Sequence, residues 1–546
     1  MQIQIEDYSL SQSNLFVADY MANKQSAFDF FHYNPDDPES YKQRYAELMH
    51  RSFPRQQLAD VIERFLSRWS ISAEQRVQLE RLRRENSVVV IGGQQAGLLT
   101  GPLYTLYKVI TIINRAKLEE ERLAVPVIPV FWIAGEDHDF EEINHVYMPH
   151  PQAKKMRKIT LQANESVTRQ SISQRLLPKS EIETWLDEVY SHWKETDFSA
   201  EVKRLISHAV EHSTTYVDFF ASLLQALFAR YGLLLVDSAD PELRQLETEP
   251  FKAIIRQYQE IDTAVRSDLK RMQQAGYTPQ LQLGDWPALL FIHHQEERLL
   301  LEAREGLFRS KDGRLTFTEE ELLHIAEESP GRLSNNVITR PYMQERLFPT
   351  LCFVAGPGEI AYWGLLSTCF EQLGLKLPII IPRLQITLIE PHIGKLLTKH
   401  HLDVNTVVQS FDHYRQEWLA QQDKLNLDEH FQHVKDEIAA LYQPLIKKIG
   451  LINKGLIDLG QKNLNKLHEQ VNYLHKRAVA DFKTQHEATL RQFDKIEQAL
   501  HPEGKWQERV YNPFYYFNKY GLQLLEVLMQ APYDYNGNHK LVFLNP

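Results

Sequence analysis

The chain has 546 residues, of which 43% are hydrophobic, and its formal net charge is −11. This length exceeds one simple core, so two or three structural units are expected, and the negative charge disfavours non-specific binding to nucleic acid or anionic membranes. The two cysteines, Cys352 and Cys369, exclude a disulfide framework and a multi-cysteine zinc site. Neither a signal peptide nor a membrane-length apolar run is recognisable, so we predict a cytoplasmic protein.

Five short apolar runs predict the strands of a buried parallel sheet, because each ends in small or acidic residues. They are residues 88–93, 125–135, 232–240, 349–358 and 377–383. Helical patterns at 103–122 and 359–374 lie between them. This alternation predicts a Rossmann-like, doubly wound α/β core over residues 1–390, in which ligands bind at the carboxyl ends of the strands.

The remaining sequence predicts mainly helical additions to this core. Charged helical sequence at about 150–230 and 241–340 is expected to form insertions that cap the sheet. Between 391 and 505 apolar residues recur at spacings of three and four, which predicts a long coiled-coil domain. Interrupting glycines and Pro444 favour a hairpin of two helices, although pairing between chains stays open. The aromatic segment 506–546 is predicted to dock on the core.

The stretch "GGQQAGLLTGPLY" follows the first predicted strand. Thr100 or Gly101 is expected to cap a helix that starts at Pro102, where free N–H groups and the helix dipole favour an anion. Lys108 lies one turn further along. The alternative is a tight strand-to-helix turn that needs small residues. The predicted ligand-binding residues here are Gly93, Gln94, Gln95, Gly97, Thr100, Gly101 and Tyr104.

The second predicted strand ends in "WIAGEDHDFEEINH". Carboxylates at Asp137 and Asp139 are expected to favour the imidazolium form of His138, which suits acid/base work or stabilisation of a phosphate. The same residues could hold a divalent metal, but His138 and His145 lack the i, i+4 spacing of a helical zinc pair, so no metal is predicted. The alternative is the charged first turn of a helix.

Other strand ends carry further candidates. "VAGPGEIAYW" places Gly356, Gly358 and Glu359 at a strand-to-helix turn, and Asp237 ends another strand. Two arginines, Arg340 and Arg383, adjoin prolines and could bind carboxylate or phosphate, or be paired structurally. Cys352 lies within a predicted strand and is interpreted as a core residue.

Five separated stretches together resemble one family. "GGQQAGLLTGPLYTLYK", "PVFWIAGEDHDFEEINH", "LSNNVITRPYMQE", "AGPGEIAYW" and "RVYNPFYYFNKYG" are similar to the bacillithiol biosynthesis cysteine-adding enzymes, the BshC family. The likeness spans about the whole chain. It implies a Rossmann-like core with helical insertions, a coiled coil through which two protomers pair, and a ligase of EC class 6 that joins L-cysteine to the amino group of glucosaminyl malate.

The resemblance also implies roles for the candidate residues. Amide formation from a carboxylate requires activation, so ATP or another nucleotide is expected to supply an acyl-adenylate or acyl-phosphate. We hypothesise that the 94–104 turn and Lys108 bind phosphate or carboxylate, and that His138 acts with its two flanking aspartates. Glu136 or Glu359 would orient the cysteine ammonium, and the arginines would meet the malyl carboxylates.

Two other functions fit the same residues. The cluster at 136–145 could belong to a metal-dependent hydrolase, or the chain could be a coiled-coil scaffold whose α/β core has no activity. The polar residues at several strand ends argue against a scaffold, because a scaffold does not require them.

Overall fold

A computed structural model describes residues 2–9, 14–150, 155–162, 169–281, 283–285 and 287–545. The chain divides into two compact units. The first comprises Met1–His150, Met156–Leu388 and Trp506–Pro546, and the second comprises Pro151–Lys155 and Ile389–Lys505.

The strands differ in length from two to eight residues. In chain order they are β1 (Gln2–Tyr8), β2 (Val88–Gln94), β3 (Val127–Ile133), β4 (His145–Met148), β5 (Arg157–Thr160), β6 (Leu234–Asp237), β7 (Pro287–His294), β8 (Glu297–Arg304), β9 (Leu307–Ser310), β10 (Thr316–Phe317), β11 (Leu333–Asn335), β12 (Thr350–Ala355), β13 (Ile379–Pro382), β14 (Ile386–Ile389) and β15 (His539–Asn545).

The helices before residue 389 belong to the first unit. They are α1 (Leu15–Met21), α2 (Gln25–Phe28), α3 (Pro38–Met49), α4 (Arg55–Leu66), α5 (Ala73–Leu82), α6 (Leu103–Leu123), α7 (Phe140–Ile143), α8 (Lys179–Ser191), α9 (Ser199–Glu211), α10 (Tyr216–Phe228), α11 (Pro241–Leu246), α12 (Thr248–Arg256), α13 (Tyr258–Gln274), α14 (Glu319–Glu328), α15 (Thr339–Leu347), α16 (Pro357–Trp363) and α17 (Ser367–Gln372).

The second unit is helical, and two more helices of the first unit follow it. The second unit contains α18 (Pro391–His400), α19 (Val404–Gln409), α20 (Phe411–Gln422), α21 (Leu427–Gly450), α22 (Gly455–Gln485) and α23 (Glu487–Leu500); α24 (Pro513–Tyr520) and α25 (Gln523–Gln530) return to the first.

The core of the first unit is a five-stranded parallel sheet in the order β13-β12-β2-β3-β6. In register, Ile91 of β2 pairs with Val130 of β3 and Phe353 of β12. All seven residues of β3 are buried, which fits a strand covered on both faces. The predicted Rossmann-like core is therefore confirmed, and its five strands lie within the five apolar runs apart from one added residue at the end of β2.

A second sheet corrects the prediction of a helical insertion at 241–340. Strands β10-β9-β8-β7-β11 form an antiparallel sheet over part of this range. The turn between β7 and β8 places Gln295 and Glu296 at φ values of +47° and +68°. Hairpin turns of this kind usually carry glycine or asparagine, so the sequence gives no hairpin signal there. Charged residues of β8, such as Glu302 and Arg304, give this segment the charged composition from which a helix was predicted.

The second unit contains the predicted hairpin of long helices. Helices α21 and α22 run antiparallel: the Tyr442 hydroxyl donates to Asn463 Oδ1 at 3.0 Å, and His475 Nε2 lies 2.7 Å from Asp428 Oδ1. Near the connection, a Cβ on Gly460 would lie 2.8 Å from Ile446, so glycine lets the helices approach closely. The coiled-coil domain and the pairing of two helices within one chain are thus confirmed.

Candidate active site

A cavity of about 410 Å³ lies at the carboxyl edge of the central sheet. The strand order reverses direction between β2 and β12, and open α/β sheets bind ligands at such a switch point. The wall combines the ends of β2 and β3, the residues after β12 and β13, and the first turns of α6 and α16. The lining residues are Gly93, Gln94, Gln95, Tyr104, Lys108, Trp132, Ala134, Asp137, Arg340, Gly356, Pro357, Gly358, Glu359, Tyr362, Arg383 and Arg509.

The structure brings together most, but not all, of the predicted site residues. The strand ends share one cavity, as the hypothesis of a common ligand site requires, while the chemical role of each residue stays a prediction. Those predicted residues that do not line this cavity are Gly97, Thr100, Gly101, Glu136, His138, Asp139 and Asp237.

The glycines after β2 allow close packing of the chain. A Cβ on Gly93 would lie 2.6 Å from the carbonyl oxygen of Trp132 on the neighbouring strand. A Cβ on Gly97 would lie 2.8 Å from Cα of Gly101, which itself has φ +73°. Close contact with the neighbouring strand therefore accounts for Gly93, and the alternative of a tight turn that needs small residues accounts for Gly97 and Gly101.

Helix α6 begins at Leu103, and Pro102 occupies the N-cap position without a side-chain cap. The prediction that Thr100 or Gly101 caps this helix is wrong, because Thr100 lies in a preceding buried turn at φ +66°. The N–H of Leu103 donates to the carbonyl oxygen of Tyr511 at 2.8 Å. The helix start that was expected to offer free N–H groups to an anion is thus partly occupied by the chain's own backbone.

The ammonium group of Lys108 is buried and makes three hydrogen bonds within the protein. It donates to the carbonyl oxygen of Gly93 at 2.7 Å, to Gln94 Oε1 at 3.2 Å and to Glu359 Oε2 at 2.5 Å. These acceptors match its three N–H donors. Burial lowers the pKa of Lys108, while the nearby Glu359 carboxylate opposes this shift. Lys108 thus fixes the end of β2 against α16.

Glu359 is the partner of Lys108 in this ion pair. Its Oε2 also accepts the backbone N–H of Gly356 at 2.6 Å, at the start of α16. A carboxylate that already binds an ammonium group is poorly placed to bind a second one on a substrate. This argues against the hypothesis that Glu359 orients the cysteine ammonium.

Arg383 is also paired within the protein. Its guanidinium forms a bidentate ion pair with Glu508 at 2.9 and 2.6 Å, and both side chains are buried. The Glu508 carboxylate additionally accepts the backbone N–H of Ile386 at 3.1 Å. The alternative of structural pairing therefore describes Arg383 better than a substrate contact, although Arg383 also lines the cavity.

Two other arginines on the wall have no carboxylate partner among the described residues. Arg340 donates to Gln344 Oε1 at 3.2 Å and to the Tyr362 hydroxyl at 3.0 Å, both neutral groups. The guanidinium of Arg509 is exposed and makes no hydrogen bond or ion pair to another described side chain. These two groups remain able to bind an anion.

The cavity wall therefore has an excess of positive charge. It includes four cationic side chains and two carboxylates, Asp137 and Glu359. Even with Glu508 behind Arg383, cations outnumber carboxylates, in a chain whose net charge is −11. Local charge of this sign favours anionic ligands.

Glu136 belongs to a buried ion-pair cluster beside the cavity. Its Oε2 accepts from Arg244 at 2.6 Å and from the backbone N–H of Asn335 at 3.1 Å. Arg244 also binds Glu247 at 2.6 Å, and burial raises the pKa of Glu247 to about 7. Because Glu136 is paired and buried, this contact argues against its predicted role in orienting a substrate ammonium.

Asp137 is the member of the 136–139 cluster that reaches the cavity. Its Oδ2 accepts a hydrogen bond from Gln95 Nε2 at 2.7 Å, which joins the turns after β2 and β3. Its side chain is 27% exposed, so the carboxylate stays accessible from the cavity.

His138 has a different protonation preference from the one predicted. Arg298 Nη1 lies 3.0 Å from His138 Nδ1, and because arginine can only donate, Nδ1 acts as the acceptor. Burial lowers the pKa of His138, and Arg298 adds to this effect. The expectation that flanking carboxylates favour the imidazolium form is wrong, since burial and Arg298 outweigh Asp139 and Asp137.

Within the described parts of the chain, two groups of side chains have the spacing of metal ligands. Ligand atoms of Asp137, His138 and Asp139 lie within 4.8 Å of one another. Arg298 Nη1 is 3.6 Å from Asp137 Oδ1 and contacts His138, so a cation bound there would be repelled by the guanidinium. The second group is exposed and consists of His208, Glu211 and His212.

Asp237 and the two cysteines are buried away from the cavity. Asp237 accepts from the Ser173 hydroxyl at 2.6 Å, and burial raises its pKa to about 6. Burial also raises the pKa of Cys352 and that of Cys369, the latter to about 12. Both thiols thus stay protonated near neutral pH, which agrees with the prediction that Cys352 is a core residue.

Sequence reasoning missed five residues of the cavity wall, which are Trp132, Ala134, Pro357, Tyr362 and Arg509. Of these, Arg509 carries a charge and Tyr362 a hydroxyl group. Arg509 is the first residue of "RVYNPF", so a charge that opens an otherwise aromatic stretch was the available signal. Tyr362 lies one turn after Glu359 on α16, on the same helical face.

The sequence matches two family models that together span almost its whole length. Residues 3–384 match "Bacillithiol biosynthesis BshC, N-terminal Rossmann-like domain", and residues 386–544 match "Bacillithiol biosynthesis BshC, C-terminal coiled-coil domain". The chain belongs to the BshC family. This result confirms the resemblance found in the sequence, and it places all the lining residues of the cavity except Arg509 in the match to the Rossmann-like domain.

Relatives of similar length carry names that agree with this assignment. "Putative cysteine ligase BshC" of Bacillus cereus is 39% identical over 543 residues, which cover 99% of this chain and 100% of the relative. The protein of the same name from Geobacillus kaustophilus is 39% identical over 546 residues, with the same shares covered. Relatives of this chain in the BshC family are thus named as ligases.

No helix in the described parts of the chain combines the length and apolar character needed to cross a bilayer.

Proposed function

We propose that this chain is a ligase that adds L-cysteine to the amino group of glucosaminyl malate to form bacillithiol, with the cysteine carboxylate activated by ATP or another nucleotide. Membership of the BshC family and the names of its relatives support this reaction. The observation that carries the proposal is the excess of positive charge in the switch-point cavity, because carboxylates and phosphates are the groups that these reactants would present.

The residues of the cavity suggest how the reactants would be held. Arg340 faces the cavity without a carboxylate partner among the described residues, so it is the best-placed residue to bind the malyl carboxylates. Arg383 would contribute charge while Glu508 keeps it in place. A nucleotide would supply the leaving group. Because neither a GxGxxG fingerprint nor a Walker A loop occurs in the sequence, these side chains would have to bind its phosphates.

Amide formation also requires removal of a proton. The amine nitrogen bonds to the cysteine carbonyl carbon, one carboxylate oxygen departs with the activating group, and the nitrogen loses a proton. Of the two carboxylates on the wall, Asp137 is the one that Lys108 does not bind: its Oδ2 accepts from the neutral Gln95 amide, and its Oδ1 lies 3.6 Å from Arg298 Nη1. We assign proton acceptance to Asp137. Nδ1 of His138 is unsuited to this step because Arg298 already donates to it.

The experiment that tests this function is product detection. The purified chain is incubated with L-cysteine, glucosaminyl malate and each candidate nucleotide in turn, and the thiol is identified by mass. Bacillithiol formation that depends on a nucleotide supports the proposal. Absence of the product under every condition, with substrates recovered intact, overturns it.

A metal-dependent hydrolase is the second candidate function, favoured by the spacing of Asp137, His138 and Asp139. The nearby Arg298 guanidinium opposes this function. Metal analysis of the purified chain separates the two: stoichiometric zinc or manganese that is lost in Asp137→Asn would favour hydrolysis over ligation.

We also propose that the coiled-coil domain pairs two copies of the chain, in the cytoplasm where nucleotide and cysteine are available. Leu441 and Leu474 of the hairpin are 77% and 61% exposed within one chain, which is unusual for apolar residues at coiled-coil spacing. Light scattering should give the mass of a dimer for the wild type and of a monomer for a Leu441→Ser/Leu474→Ser variant.

A further inference from the structure

A second cavity, of about 40 Å³, adjoins the larger one. The two share Gln94, Gln95, Tyr104 and Arg509 as wall residues. The smaller space is bounded by the turn before α6, the segment around the start of β4 and the residues after Arg509. A ligand could therefore occupy both cavities at once, because they join at Arg509.

Apart from the imidazole of His145, the ionisable side chains on the wall of this side cavity that bear a full charge are one cation and one carboxylate, and neither forms an ion pair with a described residue. Arg509 is exposed and forms no ion pair with a described residue. Glu142, at the end of the turn formed by α7, is likewise exposed and makes no ion pair with a described residue. Such a pair of opposite charges suits a zwitterion with its carboxylate at Arg509 and its ammonium group at Glu142.

The interior of the side cavity is small and carries an unused polar group. Thr105 is 1% exposed, and its hydroxyl has no hydrogen-bond partner among the described residues. Asn512 holds the adjacent turn by donating to the carbonyl oxygens of Leu99 and Gly101, each at 2.8 Å. Since roughly 10–15 Å³ of accessible cavity volume holds one water, a space of about 40 Å³ fits a group of about three non-hydrogen atoms.

We propose that the side cavity is the amino acid subsite: Arg509 binds the carboxylate of the amino acid, Glu142 binds its ammonium group, and the side chain enters the space beside Thr105. The inference rests on the proposed ligase function, for which it identifies the place of L-cysteine. The carboxylate to be activated then lies at the junction with the larger cavity. Glu142 takes the role that sequence reasoning gave to Glu136 or Glu359.

Size and polarity in this subsite would select cysteine. The CH₂–SH group, with two non-hydrogen atoms, fits into this space, whereas bulky side chains would not. The Thr105 hydroxyl can pair with the thiol, which is both a weak donor and a weak acceptor. Alanine would fit but would leave that buried hydroxyl unpaired. This selection needs no thiolate-bound zinc.

Direct binding tests the charge pair without requiring catalysis. Calorimetric titrations under a phosphine reductant compare L-cysteine with 3-mercaptopropionate, which lacks the ammonium group, on the full chain. We expect Glu142→Gln to raise the Kd for L-cysteine by roughly tenfold or more and to leave that for 3-mercaptopropionate within about twofold. Glu141→Gln, the exposed neighbour that lines neither cavity, is the matched control and should leave both values within about twofold.

A second variant tests the interior of the subsite. Thr105→Val keeps the shape but removes the hydroxyl, so the preference for L-cysteine over L-alanine should fall by roughly threefold or more. The inference is overturned if Glu142→Gln binds L-cysteine like Glu141→Gln, or if 3-mercaptopropionate binds the wild type as tightly as L-cysteine does.

These results are independent of the ligase assay. Selective cysteine binding that requires Glu142, in a chain that yields no bacillithiol, would retain the subsite and reject the ligase. Bacillithiol formation with an unchanged KM for cysteine in Glu142→Gln would reject the subsite and retain the ligase.

Discussion

The two halves of the carboxyl edge of the central sheet use charge in opposite ways. Beside β3 and β6, Glu136, Arg244 and Glu247 are buried and bind one another. Around β2 and β12, Arg340 and Arg509 face a cavity without a carboxylate partner among the described residues. The first half is closed by ion pairs within the protein, while the second combines the internal pairs Lys108–Glu359 and Arg383–Glu508 with two arginines that remain able to bind charges from outside.

This difference shows why charged residues at strand ends do not all belong to a ligand site. A buried ion has lost its hydration and is stable only while its partner stays in place. A partly exposed arginine beside a cavity keeps its hydration and can exchange it for a ligand. Changes to the ion-paired residues of the closed half should therefore affect stability, and changes to the two unpaired arginines of the open half should affect binding.

The largest effect is expected from Arg244→Met. It removes the cation between two buried carboxylates, so the free energy of unfolding should fall by about 3–5 kcal/mol. Denaturant unfolding measures this loss. Glu136→Gln/Arg244→Met/Glu247→Gln, which removes all three charges, is the control and should recover most of it. A loss below about 1 kcal/mol for Arg244→Met would show that the closed half does not depend on this pairing.

A somewhat smaller effect is expected in the pH dependence of the free energy of unfolding. Burial raises the pKa of Glu247 from 4.5 to about 7. As the pH rises, the unfolded state therefore loses this proton at a lower pH than the folded state does. This contribution is fully present below pH 4.5 and is lost as the pH rises to about 7. At 1.36 kcal/mol per pKa unit, it amounts to about 3 kcal/mol.

Unfolding measured across this pH range checks the prediction. Glu247→Gln should remove this part of the decline in stability, whereas Glu260→Gln, an exposed change, should not. The same pH slope in Glu247→Gln as in the wild type would contradict the assignment.

The smallest effect compares two glycines of the open half. Gly93→Ala would place a Cβ 2.6 Å from a neighbouring backbone oxygen, so it should destabilise the chain by about 1–3 kcal/mol. Gly358→Ala lies in the first turn of α16 with nothing within 4 Å of the new Cβ, so stability should stay equal or rise by up to about 1 kcal/mol. Thermal unfolding of both variants gives the comparison. Equal losses would contradict the packing explanation of Gly93.

The sequence predicts the central sheet well because its strands are continuous apolar runs that end in small or acidic residues. It also predicts that Gln95 and Asp137 lie close together, since the carboxyl ends of parallel strands share one edge. It misses the hairpin at Gln295 and Glu296, where two residues adopt positive φ without a glycine signal.

Partners that are distant in sequence explain the other differences at the site. The guanidinium of Arg383 is bound by Glu508, and the imidazole of His138 contacts Arg298. Both partners lie more than a hundred residues away from the group they change. Local sequence shows that a charge is present at a strand end, but only the fold shows whether that charge is already paired.

The central claim is that the open half binds an anionic reactant, and titration of the chain with glucosaminyl malate tests it most directly. We expect measurable binding to the wild type, a Kd raised roughly tenfold or more in Arg340→Gln, and wild-type binding in Arg346→Gln, an exposed change on the same helix outside the cavity. Equal affinity of the wild type and Arg340→Gln, or no binding to the wild type, would contradict the account.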